Sequence, residues 1–188
     1  MKKSQDSAAT AYVALANQLS GKSINGNTFM RENSARLQPY LQPRHIGRLC
    51  SYFYDPKMRD TLPYFDRFPL VIPISLYDDG FLGLNLHYLP MNRRAVLMDT
   101  LYTRVIHNAH LDERKRIMLS WGILQAVARN RNYLPCVKRY LYTHLRSKIY
   151  MIEPEDWNIA LFVPTDRWAK ANKRRVYQES LEKIRNGR

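Results

Sequence analysis

The sequence predicts an α+β fold in which a small, twisted antiparallel sheet, open or closed into a barrel, packs against several helices. Three observations lead there. Residues 70–77 and 81–89 are two runs of β-forming residues joined through Asp79-Gly80, a strong hairpin signal. After residue 91, apolar residues recur at helical spacing in several segments. With 188 residues and 45% hydrophobic content, the chain is long and apolar enough to bury one sizeable core.

The elements follow in order. Residues 7–19 place Ala8, Ala11, Tyr12 and Leu15 on one helical stripe, which stops at Ser20-Gly21. Asn25-Gly26-Asn27 is turn chemistry, and a second short helix over 29–37 ends before Pro39. Residues 1–47 are therefore expected to form a helical arm, and 48–188 an α+β core domain with a basic C-terminal helix. Residues 49–54 form the first strand, closed by Asp55-Pro56. Leu62-Pro63-Tyr64 and Arg67 belong to the loop leading into the 70–77 strand. In that strand Leu70, Ile72 and Ile74 share a face and Val71 takes the other. Pro73 cannot donate to a ladder, so this strand is an edge or carries a bulge there.

Helices are predicted over 92–107 and over 111–130, the second with Ile117, Trp121, Leu124 and Val127 inward. Asp112 and Glu113 at its start and Arg129 near its end agree with the helix dipole. Pro135 suits the first position of a further helix carrying Val137, Tyr140, Leu141 and His144. Residues 148–152 are a short apolar run that completes the sheet. A helix over 154–161 follows, and Thr165 caps a last helix over 166–185.

The formal charge is +14, from 30 Lys and Arg against 16 Asp and Glu. It is unevenly spread: residues 91–150 carry twelve basic and three acidic side chains, whereas 151–166 carry four acidic and no basic ones. Such a surplus attracts a polyanion or an acidic protein surface. The candidate partner-binding residues are basic doublets and triplets interleaved with aromatics: Arg114, Lys115, Arg116, Lys138, Arg139, Lys173, Arg174 and Arg175, with Trp168 and Tyr177. No window is apolar enough to span a membrane, and the N-terminus does not read as a signal peptide. Cys50 and Cys136 make neither a disulfide framework nor a metal motif, which suits a reducing compartment.

An enzymatic reading finds little support. Asp55, Asp60, Asp66, Asp78 and Asp79 crowd together near Lys57, as in a metal-dependent nuclease, but they lie beside Pro and Gly in predicted turns. His107 and His110 lack the glutamate of a zinc protease motif, and neither a phosphate loop nor a nucleophile elbow is present. The expectation is a protein without catalytic residue, cofactor or metal.

Two segments resemble a known family. One runs from Tyr54-Asp55-Pro56-Lys57 through Tyr64-Phe65-Asp66-Arg67-Phe68-Pro69 to Asp78-Asp79-Gly80-Phe81 and His87-Tyr88-Leu89-Pro90. The other is Glu155-Asp156-Trp157-Asn158 through Pro164-Thr165-Asp166-Arg167. Together they resemble small virion or hypothetical proteins of large contractile-tailed bacteriophages, over about residues 50–175. The first segment also resembles the SH3-like barrel of the MazF toxin family, which implies the barrel and not its ribonuclease activity. The resemblance implies a structural component of the tail, baseplate or neck. Such a protein is made in the host cytoplasm, resides in the virion and contacts other virion proteins with acidic surfaces in a multi-protein assembly. The alternative is a DNA-binding protein acting in replication or packaging.

Overall fold

The computed structural model describes residues 37–101, 113–162 and 165–186. The helix expected over 7–19 lies outside these residues, as does the one expected over 29–37 except for Leu37, which is in a strand. Six antiparallel strands form one sheet: β1 (Leu37–Gln38), β2 (Cys50–Ser51), β4 (Leu70–Tyr77), β5 (Gly80–Asn85), β6 (Val137–Leu141) and β7 (Ile149–Met151), in the order β1-β7-β2-β4-β5-β6. Strands β3 (Phe65–Asp66) and β8 (Trp168–Ala169) pair as a separate antiparallel ribbon. Among the described residues, four helices accompany them: α1 (Met91–Leu101), α2 (Glu113–Arg129), α3 (Trp157–Phe162) and α4 (Lys173–Asn186). The class is α+β, as the sequence predicts. The sheet is not a closed barrel, because β1 and β6 at its two edges do not pair. It is tied across instead by one bridge, Tyr54 to Leu145, and by the backbone bonds Asp55 N–H to His144 and Arg146 N–H to Phe53, 3.1 and 2.8 Å.

Period-two patterning divides the core. Leu70, Ile72 and Ile74 join Leu84 and Leu86 in the larger cluster beneath the helices, while Val71 joins Tyr52, Phe81 and Tyr140 in a smaller, tyrosine-rich cluster. All are buried. The β4–β5 hairpin turns on Asp78-Asp79, with Tyr77 paired to Gly80. Gly80 is needed less for the turn than for what lies beside it: a Cβ there would sit 1.9 Å from the Tyr140 carbonyl oxygen of β6. At Pro73 the ladder slips by one residue, and β2 covers only Leu70 and Val71 of β4. The proline thus sits at a bulge with no ladder donor required of it.

Several elements differ from expectation for local reasons. Residues 137–141 are strand β6 and not a helix; Pro135 lies inside a 3-10 turn, Arg131–Cys136, and the chain then pairs with β5 over five residues. Strand β5 ends at Asn85, whose side chain accepts the His87 N–H at 3.0 Å and starts a 3-10 turn over Leu86–Tyr88. Thr165 does not cap the last helix. Residues 167–169 are extended, Lys170 takes a left-handed φ of 65°, and Asn172 supplies the cap by accepting the Arg175 N–H at 2.9 Å. On α2, Leu124 is fully buried and Val127 half-buried, but Trp121 stays 50% exposed. The buried stripe is centred between Leu124 and Val127, leaving Trp121 at its rim. The side chain of Ile117 lies outside the described ones.

Arg94, on α1, is 1% exposed. Its guanidinium donates to the carbonyls of Leu89, Leu161 and His87 and to the Tyr177 hydroxyl, the last at 2.6 Å. It joins α1, α3, α4 and the 86–88 turn, because a buried guanidinium is tolerated only where its donors are met. Residues 37–47 also enter the body: β1 pairs with β7, and Leu41 and His45 are buried.

Candidate nucleic-acid interface

A buried polar hub organises one surface of the molecule. Asp66, at the end of β3, is 4% exposed and accepts four donors: the N–H groups of Phe68 and Arg167 at 3.0 and 3.1 Å, the Asn85 amide at 3.4 Å and His87 Nδ1 at 2.6 Å. The Thr165 hydroxyl lies 3.3 Å from His87 Nε2. The Thr-His-Asp order imitates a nucleophile relay. All three members are buried, however, and the carboxylate is committed to backbone amides from two distant segments. What the hub can do is hold the β3–β8 ribbon in register and so fix where Arg67 and Arg167 emerge. The Arg67 N–H donates to the Arg167 carbonyl at 2.8 Å, continuing the ribbon by one more pair.

Beside the ribbon lies a cavity of about 460 Å³ lined by Phe53, Tyr54, Phe65 and Ala169, with Arg59, Arg67 and Arg146 around it. Among the described residues its one lining carboxylate is Asp55, which bonds Arg59 and Arg146 at 3.2 Å each. Those contacts, that with Arg146 first, hold the Asp55 carboxyl below its ordinary range. Among the described residues nothing pairs with the Arg67 side chain. Arg167 covers Phe53 and Phe68 at 5.4 and 5.9 Å from their ring centres. Lys170 donates to the carbonyls of Arg59, Asp60 and Leu62, which ties the loop bearing Arg59 to the end of β8. Planar rings beside guanidiniums suit a ligand that is both flat and anionic.

A second cavity, of about 220 Å³, shares Tyr54 and Phe65 with the first. Lys138, Arg139 and Lys183 stand among Tyr64, Tyr88 and Tyr140 there. The Lys138 ammonium lies 4.2 Å from the centre of the Tyr88 ring. Burial, with Lys183 adding to it, pushes its pKa down to about 8.

The residues singled out from the sequence are dispersed. Lys138 and Arg139 reach the second cavity, where Arg139 also pairs with Asp79 and covers Tyr77 at 4.3 Å. Lys173 pairs with Asp166 at 3.0 Å and Arg175 with Glu179 at 2.8 Å, while Arg174 is exposed. Trp168 lies on β8, half-buried against Tyr64 and Tyr88 at 6.0 and 4.8 Å, and Tyr177 receives Arg94. Arg114, Lys115 and Arg116 belong to α2, and their side chains lie outside the described ones. The clustered aspartates separate: Asp66 is in the hub, Asp55 and Asp60 lie by Arg59, and Asp79 meets Arg139. Among the described residues no three His, Cys, Asp or Glu side chains gather as metal ligands, and no helix is long and apolar enough to cross a membrane. Sequence reasoning missed Arg59, Arg67 and Arg146 because each stands alone in the chain. The one local signal was Arg67 between two phenylalanines.

Over residues 13–184 the chain matches the model of a family described as phage T4 terminal DNA protecting protein. No curated protein and no solved structure matches. The phage resemblance seen in the sequence agrees with this match. The expected role as a tail, baseplate or neck component does not, because the family is described by an action on DNA termini. Basic doublets and triplets interleaved with aromatics point to an acidic partner without distinguishing carboxylates from phosphates.

Proposed function

The chain belongs to the phage T4 terminal DNA protecting protein family, and we propose that it binds the ends of linear duplex DNA and shields them by occupancy, without catalysing a reaction. It is made in the host cytoplasm. The observation that carries this reading is the cavity in which Arg59, Arg67 and Arg146 surround the rings of Phe53 and Phe65. Inside a duplex both faces of each base pair are stacked, whereas a terminal pair offers one bare face. Ring stacking contributes ~1–3 kcal/mol per base, and a recessed aromatic wall collects it only at an end. The guanidiniums meet the flanking phosphates, and the +14 charge draws the polyanion in from a distance. Of the two functions weighed from the sequence, DNA binding is the one the family description supports. Acidic virion partners find no such support.

The test compares binding of the full chain to a linear duplex and to a closed circle of the same sequence, with exonuclease digestion as a second readout. The linear form should bind at least about tenfold tighter per end, a difference of about 1.4 kcal/mol, and its termini should survive digestion. Equal affinity for the circle, or trimming of the DNA by the protein itself, would overturn the proposal.

A further inference from the structure

The second cavity has a different character from the first. Its principal cation, Lys138, is half-buried against the Tyr88 ring, and Lys183 and Arg139 add further positive charge. Among the described residues no carboxylate forms an ion pair with the Lys138 ammonium. Asp66 lines the same cavity, but its oxygens are taken by His87, Asn85 and two backbone amides. A cation partly withdrawn from water and held beside a second one is costly unless an anion joins them. The cavity is also small, about 220 Å³ against about 460 Å³ for its neighbour, and Tyr54 and Phe65 line both.

We propose that the Lys138–Lys183 cavity receives the terminal phosphomonoester of the DNA end whose last base pair occupies the arginine cavity. The inference rests on the end-binding reading and names what distinguishes one end from another. An internal phosphodiester has chain on both sides and needs a groove with two exits. A terminal phosphomonoester has three free oxygens and can enter a dead-end pocket. It carries about −1.5 to −2 charge at neutral pH, which answers two ammonium groups better than a diester does. Ammonium–phosphate hydrogen bonds among apolar rings gain from the exclusion of water.

The experiment uses short duplexes closed by a hairpin at one end and bearing at the other a 5′-phosphate, a 3′-phosphate or hydroxyls only. One of the phosphorylated ends should bind about tenfold tighter than the hydroxyl end, as expected for charge-assisted bonds to one added group. Lys138→Met and Lys183→Gln should each erase most of that preference, weakening the phosphorylated end about tenfold and the hydroxyl end less than about threefold, and circular dichroism of each variant matching the unmodified protein reports that both are folded. Free inorganic phosphate should compete only at far higher concentration than the DNA end. Equal binding of all three ends by the unmodified protein overturns the phosphate site and leaves end binding standing. A preference that survives both substitutions overturns the assignment to this cavity. Failure to distinguish linear from circular DNA removes the underlying reading instead.

Discussion

Arg67 and the triplet Lys173-Arg174-Arg175 present the same chemistry in different settings. The triplet is the denser charge in the sequence, yet the fold neutralises much of it. It occupies the first turn of α4, which contains no acidic residue, so three cations face the positive end of the helix dipole. Asp166 and Glu179 offset two of them. Arg67 is isolated in the sequence, but its segment is pinned by the Asp66 hub and its guanidinium opens onto an aromatic cavity. The difference teaches that availability of charge depends on where carboxylates land in space, and local density does not report it.

The comparison breaks most directly at the hub. Asp66→Ala removes the common acceptor of His87, Asn85 and two backbone N–H groups, leaving buried donors unmet. The expected cost is about 3–5 kcal/mol, measured by urea unfolding. If the substitution costs under about 1 kcal/mol, the ribbon is held by something else and Arg67 is not fixed in the way argued.

How much of this was legible in the sequence follows from the distances involved. The β4–β5 hairpin was readable because alternation and a turn signal are local: Leu70, Ile72 and Ile74 fall on one face and Val71 on the other. Strand β7 and the helix after Pro154 were equally local. Strand β6 was not, since Pro135 followed by a bulky run fits a helix start as well as a strand, and only pairing with β5 decides. The hub was invisible because Asp66 reaches Arg167 across 101 positions and His87 across 21. The burial of Arg94 is equally non-local, because its acceptors on α3 and α4 lie 67 and 83 positions away. The site itself was half legible. Lys138 and Arg139 were found as a doublet, but the arginines of the larger cavity meet only after β2, the β3–β8 ribbon and the segment after β6 have come together.

A second break compares the two charged regions on DNA. Arg67→Glu should weaken binding to a linear duplex about 30-fold or more. It removes one or two charge-assisted bonds worth ~1.5–3 kcal/mol each and places a like charge against phosphate. Replacing Lys173, Arg174 and Arg175 together by Gln should weaken it less than about fivefold, although three formal charges are lost, because Lys173 and Arg175 are already committed to Asp166 and Glu179. Both are read from direct titration at one fixed salt concentration. The reverse order, with the triplet dominant, would relocate the interface to α4.

The finest comparison is between Lys138 and the exposed basic residues, and it is read through pH. The Lys138 pKa is pushed from 10.5 down to about 8, burial first and Lys183 second, so the folded protein disfavours the charged form. Between those two values the unfolded chain holds more protons than the folded one, and stability attributable to this group rises with pH. Below pH 8 the full penalty is present; above about 10.5 it has gone. The other charged and titratable groups facing it are Arg139, Lys183 and Asp66, with Tyr64, Tyr88 and Cys136, and burial pushes these last three up, so they remain neutral across most of the window. Lys138→Met, which keeps the volume and removes the charge, should therefore be more stable than the unmodified protein at pH 7, by about 1 kcal/mol or more. The gap should close between pH 8 and 10.5. Comparing the two proteins cancels the titration of the other lysines. A gap that stays constant across the window would mean that Lys138 is solvated. The smaller cavity would then lose the desolvated cation that makes it suited to a phosphate.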